Sequence, residues 1–241
     1  GEAGGRRRSG GVGGAAMAAS GSGRLGAGAV AGGSAAWRAA VPAAITSWRS
    51  RLSLARTGGG PVCRLDADTV REICAAASLQ TGKPLVLAND NCDGQLVISG
   101  DTTALEAALP LATERGAKRV VPLAVSVASH SPLMESIAPA FRQTLAATAF
   151  DAPAVPVIGN VTAAPLTSAD AIRDELGAQL TSTVRWTESV QYMRGQGIDT
   201  FIEVGPKDVL TGLVKRIDRA AERVTLNSAA SVAEFLAAQM S

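Results

Sequence analysis

No acidic residue occurs between Glu2 and Asp66, and residues 1–60 hold sixteen Gly and fifteen Ala, over half of that segment. Glycine at that density makes ordering entropically costly, and no helical or alternating apolar period persists through the tract. The same residues carry eight Arg, no Lys and one acid, a balance of +7, whereas the other 181 carry 15 basic and 20 acidic side chains, a balance of −5. The chain is two kinds of sequence, and orderly periodicity begins only near Cys63. Three readings of the tract compete. It is a flexible basic tail for anionic partners, an Arg-, Ala- and Ser-rich targeting peptide, or out-of-frame translation of GC-rich coding DNA. The last is preferred, so residues 1–60 are expected to be disordered or frameshifted.

Beyond it, the periods are regular. Asp66-Ala-Asp68 precedes Val70, Ile73, Cys74 and Ala77, a capped amphipathic helix. Leu85–Ala88 and Gln95–Ser99 read as strands joined by the turn-rich Asn89–Gly94. A second helix places Leu105, Ala108, Leu109 and Ala112 on one face and stops at Gly116. Lys118–Leu123 is a further strand. This order describes a split βαβ, ferredoxin-like unit over residues 61–124 that lacks its first strand, for which Gly60–Leu65 is the candidate. From residue 125 to 241 the pattern changes. A helix over Met134–Thr148 (with Pro139 beginning or kinking it), a buried strand Val155–Val161 and a Ser168-capped helix carrying Ile172, Leu176 and Leu180 follow. A helix with Trp186, Val190 and Met193 on its face comes next. Then come a strand Thr200–Val204, a helix Val209–Ile217 and a last helix behind a Ser231–Glu234 capping box. Strands alternating with helices predict a mostly parallel sheet covered on both faces.

Several chemistries are excluded. There is no apolar run of about 18 residues to span a membrane. Three cysteines (Cys63, Cys74, Cys92) and one histidine support neither a disulfide framework nor a zinc site, so no metal is expected. Gly21-Ser-Gly23-Arg-Leu-Gly26 copies a dinucleotide-binding pattern but lacks its acid about 20 residues on. Nothing near Cys92 would lower a thiol pKa, and it reads as a small structural residue in the turn. Eight arginines with only Trp37 and Trp48 among them give a nucleic-acid partner little weight.

His130 is left. It lies between a β-branched run and the helix-starting Ser131-Pro132, where strand-end bases are found, although a lone histidine is more often structural. A histidine base needs a nucleophile, and the Gly-x-Ser-x-Gly elbow that commonly supplies one in acyl transfer is absent from the sequence.

Four blocks carry a family resemblance: Asn89–Gly100, Ser126–Met134, Gln179–Val190 and Phe201–Arg216. In order and spacing, Leu65 to Ile217 resembles malonyl-CoA:acyl carrier protein transacylase. The resemblance implies an α/β-hydrolase-like large domain with an inserted ferredoxin-like small domain, residues 125–241 being the C-terminal part of the large one. It implies a ping-pong acyltransferase of fatty acid synthesis. A serine takes malonyl from malonyl-CoA and passes it to the phosphopantetheine thiol of acyl carrier protein, with no bound cofactor. His130 falls on the catalytic histidine, and Gln179 on the position whose main-chain carbonyl orients that imidazole. The implied protein is a cytoplasmic monomer acting on a coenzyme A thioester and acyl carrier protein, with neither membrane nor nucleic acid as partner. If residues 1–60 are a transit peptide, it is plastid or mitochondrial instead.

The resemblance also implies elements that the chain does not show. A Gly-His-Ser-Leu-Gly elbow, a Gln-Gly oxyanion segment and a malonyl-clamping Arg belong before residue 63, with the serine projecting near Ser20. The nucleophile and the substrate-binding residues are therefore unassigned, and the chain is expected to be impaired. Val127–His130 partly resembles methylmalonyl-selective polyketide acyltransferases, whereas Ser131–Met134 and the flanking blocks favour malonyl. Two alternatives are a polyketide-type acyltransferase fragment and a non-catalytic homologue that docks acyl carrier protein through Lys118, Arg119, Lys215 and Arg216.

Overall fold

The computed structural model describes residues 16–20, 51–55, 65–122 and 128–239. They fall into two units. One holds Ala16–Ser20 with the residues from Ile198 on, the other the residues from Arg51 to Gly197. Strand β1 (Ala16–Ser20) belongs to the first and β2 (Arg51–Ala55) to the second.

Helix α1 (Ala67–Thr81) opens on Asp66, whose carboxylate accepts the Thr69 N–H at 2.7 Å, and ends at Gly82 with φ +65°. Its stripe of Val70, Ile73, Cys74 and Ala77 is buried, as the spacing predicts. Strands β3 (Leu85–Cys92) and β4 (Gln95–Gly100) form a hairpin whose turn is Asp93-Gly94. The expected Asn89–Gly94 turn is thus mostly strand. Register shifts after Leu87 and after Asp90 absorb extra residues as bulges, which keeps these polar residues in the ladder. Cys92 accordingly ends a strand, fully buried, rather than sitting in a turn. Helix α2 (Thr102–Glu114) is capped by Asp101 and buries Ala104, Leu105, Ala108 and Ala112, while Leu109 faces outward against expectation.

Strand β5 (Arg119–Pro122) completes this part. The missing strand is β2, which lies between β4 and β5 and is antiparallel to both, with Leu52 opposite Ile98 and Pro122. It precedes the Gly60–Leu65 candidate, of which residues 60–64 lie outside the described ones and Leu65 is not in a strand. Arg51-Leu-Ser-Leu-Ala55 alternates at the period of a strand, whereas Pro61 could donate nothing to a central ladder. Leu85, Leu87, Leu96 and Ile98 pack with the buried faces of α1 and α2 into one core.

The 3₁₀ turn Pro132–Met134 leads to α3 (Ala138–Ala147), where Pro139 sits in the first turn and begins the helix. The expected buried strand over Val155–Val161 is instead a two-residue ribbon, β6 (Val157–Ile158) against β7 (Pro165–Leu166), with Val155 and Val157 exposed. Pro153 and Pro156 remove donors, and Gly159 starts a tight turn by bonding to Ala164, so little ladder is possible. Helix α4 (Ala169–Gln179) is capped by Ser168. Strand β8 (Val184–Arg185) runs parallel to β3 at the sheet edge, giving the order β5-β2-β4-β3-β8, and α5 (Trp186–Gly195) follows.

In the other unit, β9 (Thr200–Val204), α6 (Val209–Ile217), β10 (Glu222–Leu226) and α7 (Ala229–Gln239) follow in sequence. β9 is central, antiparallel to β1 and parallel to β10. The buried carboxylate of Glu203 accepts the Leu210 and Thr211 N–H groups and the Thr211 hydroxyl, tying β9 to the start of α6. The last helix is capped by Ser228, not Ser231. The two serines exchange amide-to-hydroxyl bonds at 3.1 Å each, so Ser231 fills the place of the usual glutamate. The expectation of a mostly parallel sheet fails among the described residues, where only β3–β8 and β9–β10 pair in parallel. Hairpins and split crossovers make the larger sheet antiparallel except at its β3–β8 edge. Among the described residues, no helix is long and apolar enough to cross a membrane.

Candidate active site

His130 follows Ala128 and Ser129 in a tight turn just ahead of the 3₁₀ segment. Its backbone is left-handed at φ +61°, a conformation that is uncommon outside glycine and costs about 1 kcal/mol. Two carbonyls at the C-terminal end of α4 hold it. The His130 N–H donates to Leu180 O at 2.9 Å, and Nδ1 lies 2.7 Å from Gln179 O. A carbonyl only accepts, so Nδ1 carries the proton, and in the neutral ring Nε2 is the unprotonated nitrogen. Helix ends present such unpaired carbonyls because their last groups have no partner within the helix. The Leu180 side chain is buried with Met134 and Ala138, against Ile137 and Phe141, which joins α4 to the segment after His130.

A second network braces α4. Glu175 is buried within it and accepts the Val161 N–H at 2.6 Å, the Thr162 N–H at 3.3 Å and the Thr162 hydroxyl at 3.1 Å. Arg185 donates to the Val161 and Thr162 carbonyls and pairs with Glu188, whose carboxyl is held below its ordinary value chiefly by that hydrogen bond. Thr183 and Thr187 hydroxyls bond to Leu87 O and to Asp90 Oδ1, both at 2.6 Å, fixing the chain after Leu180 to β3. Sequence reading missed Glu175. Its signal is an acid three residues after Ile172, beside the stripe Ile172, Leu176 and Leu180.

Ser20 ends β1 opposite Thr200 in the unit that lacks His130, and the glycine motif at 21–26 lies outside the described residues. Lys118 is exposed near β5, where Arg119 begins the strand. Lys215 and Arg216 are exposed in the last turn of α6, a favourable place for cations at a helix C-terminus. Cys74 is buried, and burial pushes its thiol up to about 12, which leaves it unreactive. Among the described residues no group of three His, Cys, Asp or Glu could hold a metal.

The family model of the acyl transferase domain matches residues 7–235. The malonyl CoA-acyl carrier protein transacylase of Escherichia coli K12 is 42% identical over 172 residues, 71% of this chain and 55% of its own. The Bacillus subtilis 168 protein of the same name is 40% identical over 163 residues, 68% and 51% of the two chains. The chain thus spans about half the length of the curated relatives it matches. Among solved structures, an acyl carrier protein S-malonyltransferase from Vibrio cholerae is 40% identical with a TM-score of 0.71, covering 82% of this chain and 60% of that one. A malonyl-transacylase in complex with its type II PKS acyl-carrier protein gives 35% and 0.73, covering 83% and 61%. The chain belongs to the acyl transferase domain family.

Proposed function

We propose that this chain carries the histidine side of a malonyl-transfer site and that His130 is its general acid–base. The observation that supports the reading is the Nδ1-to-Gln179 carbonyl bond at 2.7 Å, made at the two positions the family resemblance singles out. In the proposed reaction Nε2 takes the proton of a serine hydroxyl as its oxygen attacks the malonyl thioester carbon. The C–S bond breaks, and His130 returns the proton to the coenzyme A sulfur. The second half runs in reverse, with the phosphopantetheine thiol of acyl carrier protein attacking the acyl-serine. No cofactor takes part.

In this reading residues 61–124, with β2, are a ferredoxin-like insert. Residues 125–241 are the C-terminal part of an α/β-hydrolase-like domain, working in the cytoplasm. The sheet order β5-β2-β4-β3 supports the first half, since it is the order of a split βαβ unit. With no Gly-x-Ser-x-Gly pentapeptide in the sequence, the chain as given transfers malonyl poorly.

Labelled malonyl-CoA tests both parts. The full chain is expected to accumulate no acyl-serine. A chimera whose first 60 residues are replaced by the N-terminal part of the Escherichia coli relative is expected to accumulate one. An acyl-serine on the unaltered chain overturns the impairment, and a folded chimera without one overturns the assignment.

A further inference from the structure

Ser131 stands at the N-cap of the Pro132–Met134 turn, where a serine ordinarily accepts a backbone N–H from the segment it starts. It makes no such cap. Its hydroxyl points the other way and donates to Ala128 O at 2.6 Å, across His130, from a fully buried position. The Ala128–Ser131 turn that this bond closes holds a non-glycine residue at φ +61° in its third place, a position that needs outside support.

We propose that Ser131 is a positioning residue for His130. By closing the turn, its hydroxyl holds the left-handed backbone that directs Nδ1 to the Gln179 carbonyl, and so it selects the tautomer protonated at Nδ1. Two further bonds hold His130 from the α4 side, the backbone by its N–H to Leu180 O and the ring by Nδ1 to Gln179 O. Neither fixes the turn that presents His130 to them. The Ser131 hydroxyl bond to Ala128 O spans that turn from end to end. The consequence for catalysis rests on the reading of His130 as the base, but the ring geometry does not.

One histidine in 241 residues makes the test direct, since its ring nitrogens give unambiguous signals in ¹⁵N-labelled full-length protein. At a pH where the ring is neutral, two-bond ¹H–¹⁵N correlations are expected to show a protonated Nδ1 and a bare Nε2. Ser131→Ala is expected to lower the Nδ1–H to Nε2–H ratio about tenfold, the effect of one lost hydrogen bond. Ser131→Thr, which keeps the hydroxyl, is expected to restore it. An unchanged ratio in Ser131→Ala overturns the proposal, as does an averaged or Nε2-protonated ring in the unaltered chain. If Ser131→Ala does not fold, folded Ser131→Thr decides, because an averaged ring there also overturns it. The tautomer is read without malonyl-CoA, so a failure of the labelling experiment leaves this result standing on its own.

Discussion

Replacing Glu175 by Ala removes the acceptor for three donors in the turn between β6 and β7. The Val161 N–H bond, at 2.6 Å to a charged oxygen, is the strongest of them, and the Thr162 bonds at 3.3 and 3.1 Å are weaker. Hydrogen bonds to charged groups contribute about 1.5–3 kcal/mol each, and a buried donor left bare costs a similar amount. Burying the carboxylate opposes this, so the net loss is nearer one strong bond, about 2 kcal/mol, than the sum of three. At 1.36 kcal/mol per factor of ten, the Val161 amide should exchange ~30-fold faster in the variant. Glu175→Gln keeps one acceptor but turns its NH₂ toward a donor, and should fall between the two. Residue-resolved hydrogen exchange measures this locally, which suits a chain with two units. Unchanged protection of Val161 in a folded Glu175→Ala protein would refute the reasoning.

A Cβ on Gly100 would lie 2.3 Å from Pro84 O and 2.7 Å from Leu85 Cα, so Gly100→Ala should lower the urea midpoint by an equivalent of about 2 kcal/mol. Gly212→Ala in α6 meets nothing and should raise it by about 0.5–1 kcal/mol. The reverse order of the two would contradict the packing. Cys74 should resist thiol reagents at pH 8 until the protein is unfolded, because a thiol held near 12 has almost no thiolate there. Rapid labelling of the native chain would show its burial to be wrong. Asp66 has its folded-state pKa lowered, first by the Thr69 amide, so its capping contribution is present above the ordinary carboxylate value of 3.8. It is lost as pH falls through the folded value. Asp66→Ala should therefore flatten the acid limb of stability, and an unaltered limb counts against the cap.

Local rules carried the sequence reading furthest where period and cap agree. The α1 stripe, the strand Thr200–Val204 and the helix Val209–Ile217 appear where their residues place them. They failed where polar residues join a ladder through bulges, as at Asn89–Cys92, and where prolines cut an apolar run, as at Val155–Val161. The strand Arg51–Ala55 was hidden by the composition around it, since five alternating residues weigh little beside a glycine-rich tract. Its place depends on long-range pairing with β4 and β5, which no window of sequence contains. At the candidate site, the resemblance pointed to His130 and Gln179, and the hydrogen bond between them adds the ring's tautomer. Glu175 and the backward-pointing hydroxyl of Ser131 were not visible. Both depend on which donor or acceptor faces them across a turn.

The most direct measurement of the central claim is malonyl transfer to holo-acyl carrier protein by the chimera, with and without His130→Ala. If His130 is the base, kcat/KM should fall by at least ~10³-fold while the variant stays folded, as when one member of a cooperating catalytic set is removed. A folded His130→Ala chimera within tenfold of its parent would contradict the account.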